Sequence, residues 1–536
     1  MDTRFSALRE KMIQNQDRWY YRGLPTGPTF LARAPNPPWD PKIVDDMGYY
    51  DYQGDPVKKT LRPVCRHPIV EKWNNTGEIG SLRFEILRSL EAVDWNSVDI
   101  FRCGYEDDKD LPVVLMVSVQ PGSISPAQAR DAAARCEHVL GLHGLTDVSC
   151  ELRASEVFRL QKSPSHQRTP RFWWGSREYQ HQLTNLLGTT ISAANNPASI
   201  GTKGPYLRVK MTDGDKTETS ICALTCRHSL FGNEKAPSLS QAVVQPGDYD
   251  RMLARIESDK SSSKERIDKY EERSSSGGCV LTTAQENNLR RERETLAEIN
   301  RLWASYTALG DIEARTFGHV CHIGDGRHFK SDWALIRLDG DKHEQPLASL
   351  RNQVSVASES HKFKALKWQS LFWDDAKPDE DDIVTLAGPV PLAEFQLPDF
   401  DYLEDAIDSF GVCQCPSTLV LGKYGHSSDL TFGLANQAFS VIRHKHPGAR
   451  DLFSLAIGVT GYEHRSMSCP PCATSFCRTG DSGACVWDFK GRVAGIVTAG
   501  SGSDPERDVT DVTYITPMEW ILEDMKACGL EATLCE

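Results

Sequence analysis

From Gly204 onward the chain is cut into short segments of β character separated by turn signals, and this texture constrains the fold more than any other feature. The segments are Tyr206 to Met211, Thr219 to Thr225, Ala242 to Gln245, Thr316 to Ile323, Trp333 to Leu338 and Ile383 to Leu386. A second set follows: Thr418 to Leu421, Leu430 to Leu434, Leu455 to Val459, Cys485 to Phe489, Val493 to Thr498 and Val512 to Ile515. Many short strands with turns between them fit a pair of antiparallel β-barrels. One stretch breaks the texture. Tyr249 to Arg273 and Thr283 to Leu309 read as charged helices joined by Ser274-Ser275-Ser276-Gly277-Gly278. The second opens on Thr283-x-x-Glu286, the pattern of a capping box, and carries an apolar stripe through Leu296, Ile299, Leu302 and Tyr306. A helical hairpin spanning 249–309 is therefore expected inside the first barrel.

The first part of the chain reads differently. Residues 2–21 look amphipathic and helical, and a stretch rich in proline and glycine follows from Gly23 to Asp55, so 1–59 reads as a helix and an extended arm. Between 60 and 160 the order is helix (Ile79 to Ala92), strand (Val98 to Tyr105), buried strand (Leu111 to Val119), helix from Ser125-Pro126 to about Leu142, and strand (Val148 to Leu152). That α-β-β-α-β order predicts a small two-layer domain. Residues 161–200 read as a linker, and 201–536 as the domain of short strands. The expected fold class is thus a multidomain α+β chain.

Composition narrows the function. The formal net charge of −13 argues against a nucleic-acid partner. No run approaches the ~18 apolar residues of a membrane span, and the start Met1-Asp2-Thr3-Arg4 lacks a secretory pattern. The expectation is a cytoplasmic chain with no membrane association, whose 16 cysteines are free thiols.

Three segments carry chemistry, in the order His, Asp, Ser: Thr225-Cys226-Arg227-His228, Asp332-Trp333-Ala334-Leu335-Ile336, and Gly480-Asp481-Ser482-Gly483. A serine hydroxyl needs an imidazole to take its proton, and the imidazole needs a carboxylate to fix its tautomer and stabilise its cation. The amides of Gly480 and Ser482 can then face an oxyanion.

These motifs resemble those of the chymotrypsin/trypsin-like serine proteases, and the wider layout is similar to fungal intracellular trypsin-like proteins with a small α/β domain ahead of the protease. The resemblance implies a double antiparallel barrel and hydrolysis of a protein or peptide substrate through an acyl-enzyme, with no cofactor and no metal. It makes His228 the general base, Asp332 the orienting acid and Ser482 the nucleophile. Gly480 and Ser482 become the oxyanion hole. Asp481 becomes a support of the active loop, and Thr498 stands where a hydroxyl supports the catalytic aspartate. Phe476, Val512, Ala499 and Gly500 become the substrate pocket, which favours a small or apolar residue over Lys or Arg.

The chain departs from the family at three points. Ser229 and Arg478 stand where half-cystines are usual, and no Ile-Val-Gly-Gly start lies near residue 200 to give Asp481 its usual ammonium partner. A regulatory protein bound through 60–160 or 249–309 is therefore expected to complete the loop. The alternative is a degenerate protease fold that acts as a scaffold or sensor. A further possibility is a zinc site at Cys469 and Cys472 with Cys477, Cys413 and Cys415.

Overall fold

The computed structural model describes residues 6–44, 55–75, 78–160, 175–213, 216–232, 239–275, 281–343, 345–359, 363–364, 377–397, 418–445, 451–462, 475–504 and 508–536. It is a mixed α/β chain with two large sheets of 13 and eight strands, antiparallel at every pairing but one.

Six strands of the larger sheet close into a ring. Val420–Gly425 pairs with Asp429–Ala435, which pairs with Leu452–Gly461, then Val512–Pro517, Val493–Gly502 and Cys485–Asp488, which returns to Val420–Gly425. Among the described residues no pairing joins the two ends of the eight-stranded sheet. It runs from Asn196–Thr202 through Thr190–Ala193, Ala242–Val244, Thr316–Ile323, Ala334–Leu338, Lys216–Thr225 and Tyr206–Asp213 to Leu530–Leu534. Ile383–Leu386 stands apart in a ribbon with Asn352–Ser355.

Residues 60–160 take the expected helices and strands, but they do not form a separate sheet. Val98 and Ser97 pair with Val441 and Ile442 of Ser440–His444, which continues into the ring. The strand Val113–Val119 is buried along its whole length. Val113, Leu115 and Val117 face the helix Pro126–Leu142, while Val114 and Met116 face Tyr20, Tyr21 and Phe101. That period-two division between two cores explains its unbroken apolar run.

The arm expected over 1–59 is a structural part of this sheet. Thr29–Ala34 pairs antiparallel with Ser149–Ala154 at the edge, and helices occupy Ser6–Gln14 and Gln16–Trp19. Alternate residues of Thr29–Ala34 are buried, so the proline-rich flanks punctuate a strand rather than mark a linker. The expected linker 161–200 likewise holds two strands of the eight-stranded sheet, Thr190–Ala193 and Asn196–Thr202, and a helix, Gly175–Gln182. Thr190–Ala193 is short and fully buried, and four residues carry too little periodicity to announce it.

The helical hairpin is present as Tyr249–Ser275 and Thr283–Ala308. Its cap lies one residue earlier than expected. Thr282 accepts from the Gln285 amide and Gln285 returns a bond to Thr282, so Gln285 takes the role given to Glu286. Leu302 and Tyr306 of the stripe pack against Tyr179, Tyr249 and Ile256 and anchor the base of the hairpin. Among the described residues no helix is long and apolar enough to cross a membrane, and the described cysteines are free thiols.

Asn436 joins the early strands to the ring. Its Oδ1 accepts from Val64 N at 3.0 Å, and its Nδ2 donates to Ile100 O at 2.7 Å and Ala438 O at 2.9 Å, all without exposure to solvent. Replacing it with alanine strands these buried groups, each costing on the order of 1–3 kcal/mol. We expect Asn436→Ala to lower stability by about 2–4 kcal/mol, read by urea denaturation; an unchanged midpoint would count against this role.

Candidate active site

His228 lies in the short helix Arg227–Phe231, which begins directly after the strand Lys216–Thr225. Asp332 precedes the strand Ala334–Leu338. Those two strands run antiparallel with Thr225 opposite Ala334, so the end of one and the start of the other meet. The register brings the two side chains together: His228 Nδ1 lies 2.7 Å from Asp332 Oδ2, and the His228 amide donates to Oδ1 at 3.0 Å.

Ser482 comes from the other sheet, in the turn ahead of Cys485–Asp488. Its carbonyl accepts from Thr202 N at 2.9 Å, and the Gly483 amide donates to Val497 O at 2.8 Å. Gly483 has φ +89°, and a Cβ there would stand 2.4 Å from Thr202 O and 2.3 Å from Thr225 Oγ1, so only glycine fits. The turn delivers Ser482 Oγ to 2.8 Å from His228 Nε2. All three side chains are buried.

Burial is the largest influence on Asp332 and would raise its pKa. The His228 ring, its hydrogen bonds and Arg159 outweigh it and bring the carboxyl down to about 2. Arg159 Nε lies 3.6 Å from Asp332 Oδ2, and its Nη2 donates to Gly326 O at 3.0 Å. Thr498 does not support Asp332. Its hydroxyl lies 2.8 Å from Thr516 Oγ1, on the neighbouring strand.

Asp481 is fully buried, and the structure supplies the partner that the sequence leaves open. Lys423 Nζ lies 3.0 Å from Asp481 Oδ2, with neither side chain exposed. The carboxylate also accepts from Ser427 N at 2.8 Å, Arg478 N at 2.9 Å and Ser428 Oγ at 2.5 Å. Burial alone would raise its pKa; Lys423 and these donors outweigh it, and the group sits below the ordinary carboxylate value. An internal ammonium thus holds the loop, which removes the reason for expecting a regulatory partner to complete it. Lys423 is legible in retrospect as a lone cation in Val420-Leu421-Gly422-Lys423-Tyr424-Gly425, an otherwise apolar strand.

The amides of Gly480 and Ser482 converge on one oxygen, the carbonyl of Leu160, at 2.6 and 3.4 Å. Ahead of it, Glu156–Arg159 pairs antiparallel with Gly502–Ala499, with Arg159 opposite Ala499 and Phe158 opposite Gly500. The Leu160 side chain is buried in one core cluster with Phe476, Cys477, Ala484 and Val497. A Cβ on Gly500 would stand 2.2 Å from Thr510 Cγ2 and 3.4 Å from Leu160 Cδ2, so Gly500 and Thr510 border the leucine.

Of the four expected pocket residues, Phe476 and Gly500 therefore sit with Leu160. Ala499 and Val512 do not: they belong to the core with Phe101 and Tyr514. Strand alternation is the cause, since 499 and 512 point to the face opposite 500 and 513. The pocket-side residue is Thr510, which bonds Thr513 at 3.1 Å.

Cys469, Cys472, Cys413 and Cys415 lie outside the described residues. Cys477 is buried and burial pushes its thiol pKa up, away from the thiolate that a metal needs. Among the described residues no three or more His, Cys, Asp or Glu side chains are grouped to hold a metal ion. No family model matches this chain, and no curated protein matches it.

Two outcomes follow. Lys423→Met leaves Asp481 buried and unpaired, so it should cost about 3–5 kcal/mol of stability, read by denaturation. Depressed carboxylates contribute stability that is present above their unfolded pKa of about 3.9 and lost as pH falls through the folded value. Asp332 and Asp481 should therefore add nothing to the pH dependence of stability above about pH 5. The Asp332 contribution should be lost between about pH 4 and 2, and a titrated melting curve of Asp332→Asn should lack that part of the decline.

Proposed function

We propose that this chain is a serine endopeptidase of the chymotrypsin/trypsin type, with the ring of six strands as one of its two β-barrels and the eight-stranded sheet, unclosed among the described residues, in the place of the other. The carrying observation is one hydrogen-bonded line, Asp332 to His228 to Ser482, beside a carbonyl oxygen that receives the Gly480 and Ser482 amides. In this reading Ser482 Oγ attacks the substrate carbonyl while His228 Nε2 takes its proton. Asp332, ionised at neutral pH, stabilises the imidazolium. The two amides stabilise the oxyanion. His228 then protonates the leaving amine, and water hydrolyses the acyl-enzyme by the same relay in reverse.

The pocket supports an apolar residue on the acyl side of the bond. Among the described residues that border Leu160 are Phe476 and Thr510 and no carboxylate, and Asp481 is turned to Lys423. A Lys or Arg there loses its water without a partner, at about several kcal/mol.

A fluorophosphonate probe tests the reading, because it reacts with an activated serine. Labelling should fall on Ser482 and vanish in Ser482→Ala and His228→Ala, each of which should lower kcat by about 10⁴–10⁶ in peptide hydrolysis. Asp332→Asn should cost roughly 10⁴ by holding the wrong tautomer. A chain that acts only as a binding scaffold gives neither labelling nor turnover. In a peptide library, leucine should exceed lysine or arginine at the acyl position by about 100-fold or more in kcat/KM; a preference for the basic residues would sink the pocket assignment.

A further inference from the structure

We propose that the chain is its own substrate, and that Ser482 cleaves the peptide bond joining Leu160 to Gln161. This rests on the serine endopeptidase reading and names a substrate for it.

Four observations converge on the same five residues. Glu156–Arg159 is seated as an added antiparallel strand on Val493–Gly502, in register from Glu156 opposite Gly502 to Arg159 opposite Ala499. Strand addition of this kind is how an extended peptide is held by backbone bonds. The next residue, Leu160, places its carbonyl oxygen on the two amides of the catalytic turn, and those amides otherwise have no role in the turn's own hydrogen bonds. Its side chain is fully buried in the pocket cluster. Arg159 reaches Asp332 and Gly326, which fixes the residue ahead of the leucine over the imidazole–carboxylate pair. A segment merely packed over a cleft has no reason to meet backbone, pocket and oxyanion donors in one register.

The reaction balances with water as the only co-reactant. Ser482 Oγ forms an ester bond to the Leu160 carbonyl carbon as its proton passes to His228 Nε2. The carbon–nitrogen bond to Gln161 breaks, and His228 gives that proton to the departing nitrogen, which becomes a free amine. Water, deprotonated by His228, then attacks the ester. The products are a carboxylate at Leu160 and a new amino terminus at Gln161, with Ser482 restored.

The step is intramolecular. Ser149–Ala154 runs into Glu156–Arg159 through Ser155, whose amide is tied to Val119 O at 3.1 Å, so the sheet that carries Leu160 is continuous with the sheet that carries Ser482. Its rate should be independent of protein concentration. The new Leu160 end stays seated after the cut, because 1–160 remains paired to the rest of the molecule at Val98–Val441 and Ser97–Ile442.

The test is expression of the full chain, its Ser482→Ala variant and two substrate variants, Leu160→Asp and Gln161→Pro. Each is followed by denaturing gel, N-terminal sequencing and fluorophosphonate labelling. The wild type should yield fragments 1–160 and 161–536, the second beginning Gln-Lys-Ser-Pro-Ser. Ser482→Ala should remain intact. Leu160→Asp should cut at least 100-fold more slowly and label faster than the wild type, because a carboxylate does not stay in the apolar pocket and Ser482 is uncovered. Gln161→Pro changes only the leaving side and should also remain intact, which guards against misfolding of the pocket variant. A wild-type chain that stays whole while Leu160→Asp is labelled overturns self-cleavage and leaves the peptidase reading standing. Absence of both cutting and labelling overturns the two together. Cutting that persists in Ser482→Ala assigns it to another protease and overturns the proposal.

Discussion

The buried contact between Lys423 and Asp481 is the constraint on which the site depends. A carboxylate removed from water is tolerable only when charge and hydrogen bonds replace its hydration. Asp481 collects an ammonium, a hydroxyl and two amides from three separate stretches of chain, 423, 427–428 and 478. Meeting those partners at once leaves the 478–483 turn little freedom. The neighbours on either side of Asp481 are Gly480 and Ser482, whose amides face the Leu160 carbonyl. The ion pair therefore acts on those amides through the turn, by positioning groups it does not touch. Both members come from one folded chain, so no freed terminus is needed to complete it.

A second set of buried polar contacts fixes the early residues onto this frame. Thr26 donates to both Asp511 oxygens, from its amide at 2.8 Å and its hydroxyl at 2.6 Å, and Arg153 Nη1 lies 3.6 Å from the same carboxylate. Tyr514 reaches Asp99 at 3.0 Å, and Tyr21 reaches Glu151 at 2.7 Å. Each contact joins residues hundreds of positions apart or ties adjacent layers of the sheet. Buried polar groups are costly unless satisfied, so slippage between the early strands and the ring would strand several of them together. The 13-stranded sheet is continuous, and the place where Arg159 and Leu160 arrive is set by its register.

The meeting of His228, Asp332 and Ser482 was legible because their motifs are local. Thr225 to His228, Asp332 to Ile336 and Gly480 to Gly483 each occupy fewer than six positions, and strand register alone brings the first two together. The short strands were legible for the same reason, by composition and turn signals within a window. What escaped is non-local. Ser440–His444 is an unremarked five-residue run whose importance lies in pairing with both Trp95–Tyr105 and Leu452–Gly461. Thr29–Ala34 hides among prolines because an edge strand tolerates them at its ends. Val493 to Thr498 and Val512 to Ile515 were placed correctly as strands, yet the side on which Ala499 points depends on a register shift between Val497 and Ala499 that composition does not encode. Lys423 stands out locally only as a cation in an apolar strand; its meaning is a distance to Asp481.

The seating of 156–160 changes how affinity at this site has to be understood. On the proposed reading an external peptide would have to compete with a strand already joined to the frame, and such a tethered ligand acts at a high effective concentration because its ordering is settled by folding rather than by binding. The short span between Ser149–Ala154 and Glu156–Arg159 makes that tether stiff. The proposed cut beyond Leu160 would leave the tether on the side that holds the strand, so the advantage would survive it. Access to Ser482 is then governed by how readily a few residues peel from Val493–Gly502, a local opening of one edge of the ring. The same backbone bonds that would recognise a substrate are the ones that must break to admit it.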